Sequence, residues 1–185
     1  MTEVTSRSEG KFAEAGVPGG NFYERALADA AAQAAERPAL QTIIKAEQMV
    51  LEDSPQGKLK HLLNAYSGSR EFALNIYQQT IEAGEKSGKH RHFSDEILFI
   101  LEGEGWDLHW DPTFDADDVS YAWHYPEEPK RFDWKAGDFV WIPPYAAHQH
   151  FASDFGRVRF LSVTTRVPRA IGLDGLEQLE SVDES

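Results

Sequence analysis

The chain has no cysteine. That absence removes the disulfide framework, the thiolate zinc site and the cysteine nucleophile together, so any metal must be held by histidine and carboxylate. Cations are also scarce: 18 Lys and Arg stand against 31 Asp and Glu, a formal net charge of -13. Affinity for a phosphate backbone rests on clustered cations, so nucleic acid is not an expected partner. No apolar run reaches the ~18 residues that a membrane span needs. The first twenty residues mix charges with Gly and Pro and offer no apolar leader segment. The expectation is a cytoplasmic protein with no membrane partner.

What is present is 185 residues, 41% of them hydrophobic, the amount of chain one domain uses to bury a sizeable core. Residues 1–20 read as a polar arm. Asn21 has the character of a helix N-cap, with Glu24 at the capping-box position, and the Ala-rich run FYERALADAAAQAAE predicts a helix over 22–36 that Arg37-Pro38 ends. The following stretch to Asp53 has good helix formers but a β-branched patch at Thr42 to Ile44, so periodicity leaves it open between helix and strand.

From Lys58 the chain becomes a series of short β-compatible runs broken by turn residues, among them FALNIYQQTI, EILFILEG, WDLHW, DFVWIPP, HQHFAS and RVRFLSVTT. Strands without helices between them predict an all-β antiparallel sandwich or barrel. The organisation expected is an arm and helix over 1–57, a barrel over 58–170 and an acidic, frayed tail over 171–185.

Four of the seven histidines fall at His90, His92, His148 and His150, each pair one residue apart in a strand-like run. Positions i and i+2 of a strand share a face, so each pair presents two imidazoles side by side. Glu96 follows His90 by six residues, an even offset that returns it to the same wall if the FSD turn keeps register. His148 or His150, from a distant strand, adds a third imidazole. Such a set of nitrogen and oxygen donors suits a divalent transition metal with coordination positions left open.

The series Gly84, His90, His92, Glu96 and Gly103, with five, one, three and six residues between them, resembles the first sequence motif of the cupins. Gly137, Pro143 and His148 resemble the second, with two departures: the family's Gly after the proline is Tyr145 here, and its later Asn is Ala152. The resemblance spans residues 58–166. It implies a double-stranded β-helix, the cupin jelly roll, with one metal in the barrel mouth held by His90, His92, Glu96 and His148. The ion expected is Fe(II), with Mn, Ni and Zn as alternatives, and the protein is expected to be a homodimer. Three neutral imidazoles and one carboxylate leave a divalent site with net positive charge, which attracts an anionic or bidentate oxygen ligand.

By analogy with small ring-cleaving cupins, the expected activity is that of a dioxygenase acting on a small oxygenated aromatic or organic acid at the metal. A lyase, isomerase or decarboxylase that uses the ion as Lewis acid is the alternative, and a non-enzymatic ligand-binding cupin the third. His150 and Tyr145 are candidates for assisting proton transfer. His61, His109 and His124 read as surface or core residues.

All five tryptophans, Trp106, Trp110, Trp123, Trp134 and Trp141, lie between the two motifs, where they either fill the barrel or line a pocket above the metal. The insert over 111–134 is long enough to be a lid. Arg91 points away from the ligands by strand alternation, which leaves Arg70, Arg157 and Arg159 as cations that could meet a substrate carboxylate.

Overall fold

The computed structural model describes residues 21–36, 40–69, 71, 73–173 and 175–183. The chain divides into two compact units between Leu40 and Gln41. In the first, α1 (Phe22–Glu36) follows Asn21, whose carbonyl accepts from the Arg25 amide at 3.0 Å. Glu24 lies in the first turn, where a carboxylate complements the helix dipole. No residue of α1 is buried. Alanine supplies helix propensity but almost no apolar face. The 1–20 arm and the Arg37-Pro38 stop lie outside the described residues.

The second unit is built from antiparallel strands. The segment left open between helix and strand resolves into a 3-10 turn at Ala46–Gln48 and then β1 (Val50–Ser54). After it come β2 (Gly57–Leu63), β3 (Leu74–Ile81), β4 (Lys89–Arg91), β5 (Glu96–Glu102), β6 (Glu104–Trp110), β7 (Thr113–Ala116) and β8 (Tyr121–His124). The series ends with β9 (Lys130–Lys135), β10 (Phe139–Ile142), β11 (Ala147–Ala152), β12 (Val158–Thr165), the short α2 (Val167–Ala170) and β13 (Glu177–Glu180). One sheet has the order β1-β2-β3-β12-β5-β10, the other β13-β4-β11-β6-β9, and β7 and β8 form a separate hairpin.

Alternation decides what faces inward. In β5, Glu96, Leu98 and Ile100 are buried while Ile97 and Leu101 are exposed; in β12, Val158, Phe160 and Ser162 are buried. Leu98, Ile100, Ile142, Val158 and Phe160 belong to one apolar cluster, closed on one side by Trp134. Each such side chain contributes about 1.5–3 kcal/mol by leaving water. The same parity that places Leu98 in this core places Glu96 and Ser162 in the barrel interior.

Two boundaries differ from those expected. The six-stranded sheet starts at Val50, ahead of 58, because β1 pairs with β2 across the Pro55-Gln56 turn. The acidic tail is not frayed as a whole: β13 pairs with β4, Glu177 opposite Arg91. Arg91 Nη2 donates to Glu177 at 2.7 Å, and Lys89 lies 3.5 Å from Glu180. Composition marked this segment as too polar to order itself. Ladder hydrogen bonds and opposite charges across the strand pair supply what apolar burial does not.

Gly105 in β6 marks how closely its two flanking strands, β11 and β9, crowd it. A Cβ there would lie 2.0 Å from the Phe151 carbonyl oxygen and 2.7 Å from the Trp134 ring. Gly105→Ala is expected to cost about 1–3 kcal/mol by overpacking. The check is a lower urea midpoint at unchanged m-value.

Candidate metal centre

His90 on β4 and His148 on β11 are direct cross-strand partners, which sets their rings 4.1 Å apart between centroids. His92 follows β4 immediately, and its ring centroid is 5.5 Å from that of His90 and 5.2 Å from that of His148. Glu96 opens β5 and arrives from the facing sheet. The expectation of one shared wall is therefore corrected. The Phe93-Ser94-Asp95 turn carries the chain from the five-stranded to the six-stranded sheet, and the carboxylate meets the imidazoles across the barrel. One donor atom from each of the four residues lies within 4.8 Å of every other, and all four residues are buried.

The hydrogen bonds around this group orient it. His92 Nδ1 is 2.7 Å from the Ser94 carbonyl oxygen and His148 Nδ1 is 2.9 Å from that of Ala146. A carbonyl only accepts, so both rings carry a proton on Nδ1 and turn an unprotonated Nε2 toward the centre. Glu96 Oε1 accepts from the Tyr77 hydroxyl at 3.2 Å and from the Ser162 hydroxyl. That leaves Oε2 beside His92 Nε2 at 2.9 Å and His148 Nε2 at 3.3 Å.

Three acceptors thus face one another in a buried space. They require a positive charge among them: a proton on His92, or a metal ion. Donors about 2.1 Å from a common ion lie at most ~4.2 Å apart, so a contraction of roughly half an ångström closes the set on a cation.

Protonation favours the ligand-ready form of His90, His148 and Glu96, while His92 is the group that holds a proton until a cation replaces it. Burial, then His148, hold the His90 imidazolium well below the usual range, and burial lowers that of His148 as well. Burial opposes the Glu96 carboxylate, yet the His148 and His92 hydrogen bonds hold its pKa well below the usual range. Burial likewise opposes a charged His92, and Glu96 outweighs it, raising the imidazole pKa. Burial and the nearby Glu96 raise the Tyr77 phenol, which keeps it a donor.

A family model described as auxin binding protein matches residues 41–175. The chain belongs to that family and is a cupin. Similar solved structures include a cupin-like protein from Thermotoga maritima, at 22% identity over 72% of this chain and 90% of that one, TM-score 0.48. Others are the polyketide cyclase RemF from Streptomyces resistomycificus, at 13% identity over 68% and 80%, TM-score 0.51, and an oxalate decarboxylase, at 16% identity over 70% and 30%, TM-score 0.51. No match was found among the curated proteins. At these identities the likeness to solved structures speaks for the barrel alone. The buried histidine and glutamate group of this cupin could hold a metal ion.

His150 is buried behind the four, its ring 5.4 Å from that of His148, with Nδ1 2.9 Å from Asp107 Oδ1. Asp107 also accepts from Trp134 Nε1 at 2.8 Å and lies 3.5 Å from His109 Nε2. Burial opposes both charges; Asp107 nonetheless raises the His150 pKa, and His150 with His109 holds the Asp107 carboxyl well below its usual range. His109, read from the sequence as a surface or core residue, is thus part of a buried polar network. The signal was available: Asp107 and His109 are two apart on β6 and pair across the sheet with His150 and His148.

Tyr145 occupies the position where the family's motif has Gly, and its φ is 61°. The left-handed region costs a side-chain-bearing residue about 1–2 kcal/mol. Three contacts offset this. The Tyr145 amide donates to the His92 carbonyl at 2.8 Å, the Tyr125 hydroxyl donates to the Tyr145 carbonyl at 2.9 Å, and the ring packs against Phe93 and Trp123. Through Trp123 and Tyr125, the insert is fastened to the turn beside His92.

A cavity of about 300 Å³ opens on His90, His92 and Tyr77. None of the tryptophans lines it: Trp134 belongs to the core, Trp106 stacks on Phe151, Trp110 lies under Lys89, and Trp141 is exposed on β10. Arg157 and Arg159 pair with Glu102, Arg91 pairs with Glu177, and Arg70 lies outside the described residues. The cations that line the cavity are Arg166 and Arg169, just past β12, where strand parity gave no signal.

Proposed function

We propose that this cupin is a metal-dependent enzyme, a dioxygenase that acts on a small oxygenated aromatic or organic acid bound beside His90 and His92. The observation that carries the metal is the inward convergence of His92 Nε2, His148 Nε2 and Glu96 Oε2, three acceptors with no donor of their own to share. His90, His92, Glu96 and His148 hold the ion. A bound first-row ion supplies Lewis acidity toward a substrate oxygen and, as iron(II), a place for dioxygen.

The rest is the work of the chain itself. Ser94 and Ala146 carbonyls fix two imidazoles in the donor tautomer. Tyr77 and Ser162 hold Glu96 from behind, so its free oxygen needs no reorganisation when it binds. The cavity admits a compact molecule, and the water that molecule displaces no longer screens the charges beside it. Assistance to proton transfer falls to His150, whose buried Nε2 has no hydrogen-bond partner among the described residues, and to Tyr145, whose amide donates to the His92 carbonyl.

Elemental analysis of anaerobically purified protein, followed by oxygen-uptake assays of the iron-loaded protein against phenolic and keto acids, tests this reading. The expected result is about one first-row ion per chain and oxygen consumption with at least one acid. Decarboxylation or isomerisation without oxygen uptake would overturn the dioxygenase and leave a Lewis-acid enzyme. Absence of any retained ion would overturn both.

A further inference from the structure

The chain carries 31 acidic residues against 18 basic ones, yet the cavity beside the four ligands reverses that balance. Its lining includes Arg166, Arg169 and three histidines, and among the described residues no Asp or Glu contributes to it. Leu59, Leu63 and Leu176 supply apolar wall. A concave, poorly hydrated site lined by charge of one sign concentrates ligands of the other.

Arg166 is placed with unusual care. Its amide donates to the Ala73 carbonyl, and Nη2 donates to Glu71 Oε2 at 3.1 Å. Glu71 is itself fixed, because its other carboxylate oxygen accepts from the Ala73 amide and, at 2.7 Å, from that of Leu74. The guanidinium is therefore anchored at one amino group. The other, Nη1, is buried, and among the described residues it has no hydrogen-bond partner. A buried N–H without an acceptor is costly, and the guanidinium fork is shaped for carboxylate.

We propose that Arg166, which lines this cavity, binds through its guanidinium the carboxylate of the organic acid that occupies it. A planar, partly apolar body would then rest on the leucine wall while a second oxygen reaches the His90 and His92 side. Arg166 is a specificity-determining residue: it selects an acid over the neutral molecule of the same shape. The inference rests on the reading above only in taking that acid to be the substrate.

Calorimetric titration of metal-free and zinc-loaded protein with benzoate, 4-hydroxybenzoate and 2-oxoglutarate, each compared with its neutral amide, provides the test. Wild type is expected to prefer at least one acid to its amide. Arg166→Gln should weaken that acid on the order of 10–100-fold, the loss of one charge-assisted hydrogen bond, and leave the amide unchanged. Arg166→Lys should fall between, since it keeps charge but loses the fork. Glu71→Gln, which removes the anchor's anion but not the cation, should keep the preference for acid.

If Arg166→Gln does not fold, Arg166→Lys carries the comparison. Equal losses for acid and amide, an undiminished preference in both Arg166 variants, or no acid preference in wild type would each overturn the proposal. Zinc stoichiometry is measured alongside. Acid binding that depends on Arg166 in a protein retaining no metal would sink the enzyme reading and leave this one standing.

Discussion

His148→Ala yields a folded protein that no longer retains metal. The imidazole it deletes is the cross-strand partner of His90 and lies within reach of Glu96 Oε2, so its loss opens the ligand set on the five-stranded sheet. Removing a group that only orients a ligand typically weakens metal affinity 10–100-fold; deleting the donor itself should exceed that. The fold survives because its apolar cluster is built from Leu98, Ile100, Ile142, Val158 and Phe160, and His148 is no part of it. Glu96→Gln should weaken binding less completely, since it keeps an oxygen donor but removes the only negative charge of the four. Elemental analysis of both variants beside wild type, with circular dichroism as the control for folding, reads the outcome. Full occupancy in His148→Ala would rule out the four-residue centre.

The histidine pairs were legible because strand parity is a local property. His90 and His92, or His148 and His150, need only two residues of extended backbone to share a face, and β-propensity supplied that. Glu96 was harder. An even offset cannot distinguish a turn that keeps one sheet from a turn that crosses to the other, and the crossing decides which wall the carboxylate occupies. The strands that went unseen, β7, β9 and β13, are short, charged or both. Their order comes from a partner strand, and a single segment's composition says nothing about its partner. Arg166 escaped for a related reason: it lies past the end of β12, and its place at the cavity depends on Glu71, 95 residues earlier.

Tyr145 illustrates the opposite case, in which the sequence raised a question and the backbone answered it. A motif position that favours glycine because of its φ is filled by a residue with a large ring, and φ stays positive. The local cost is met by contacts that glycine cannot make: the ring on Phe93 and on Trp123 of the insert. The insert, read as a candidate lid, is thereby tied to the turn that carries the His92 carbonyl contact.

The second large effect lies behind the centre, at Asp107. Its carboxylate is fully buried and accepts from Trp134 Nε1 and His150 Nδ1, with His109 Nε2 near its other oxygen. Asp107→Ala strands two buried donors in an apolar shell, and breaking one partner of a buried charged pair costs about 3–5 kcal/mol. The unfolding free energy read from urea titration at neutral pH should fall by that amount.

Asp107→Asn keeps an acceptor for Trp134 and should lose less. The pH dependence identifies the cause. The folded carboxyl has its pKa depressed below the ordinary value near 4, so its contribution is complete above about pH 4 and is lost as pH falls through the folded value. The stability gap between wild type and Asp107→Asn should therefore be widest between about pH 5 and 6.5, narrowing on acidification as Asp107 takes up a proton and on the alkaline side as His150, whose pKa Asp107 raises, loses its own. A gap that stays constant down to pH 3 would mean that the carboxylate charge contributes nothing, and that shape and hydrogen bonding alone account for its burial.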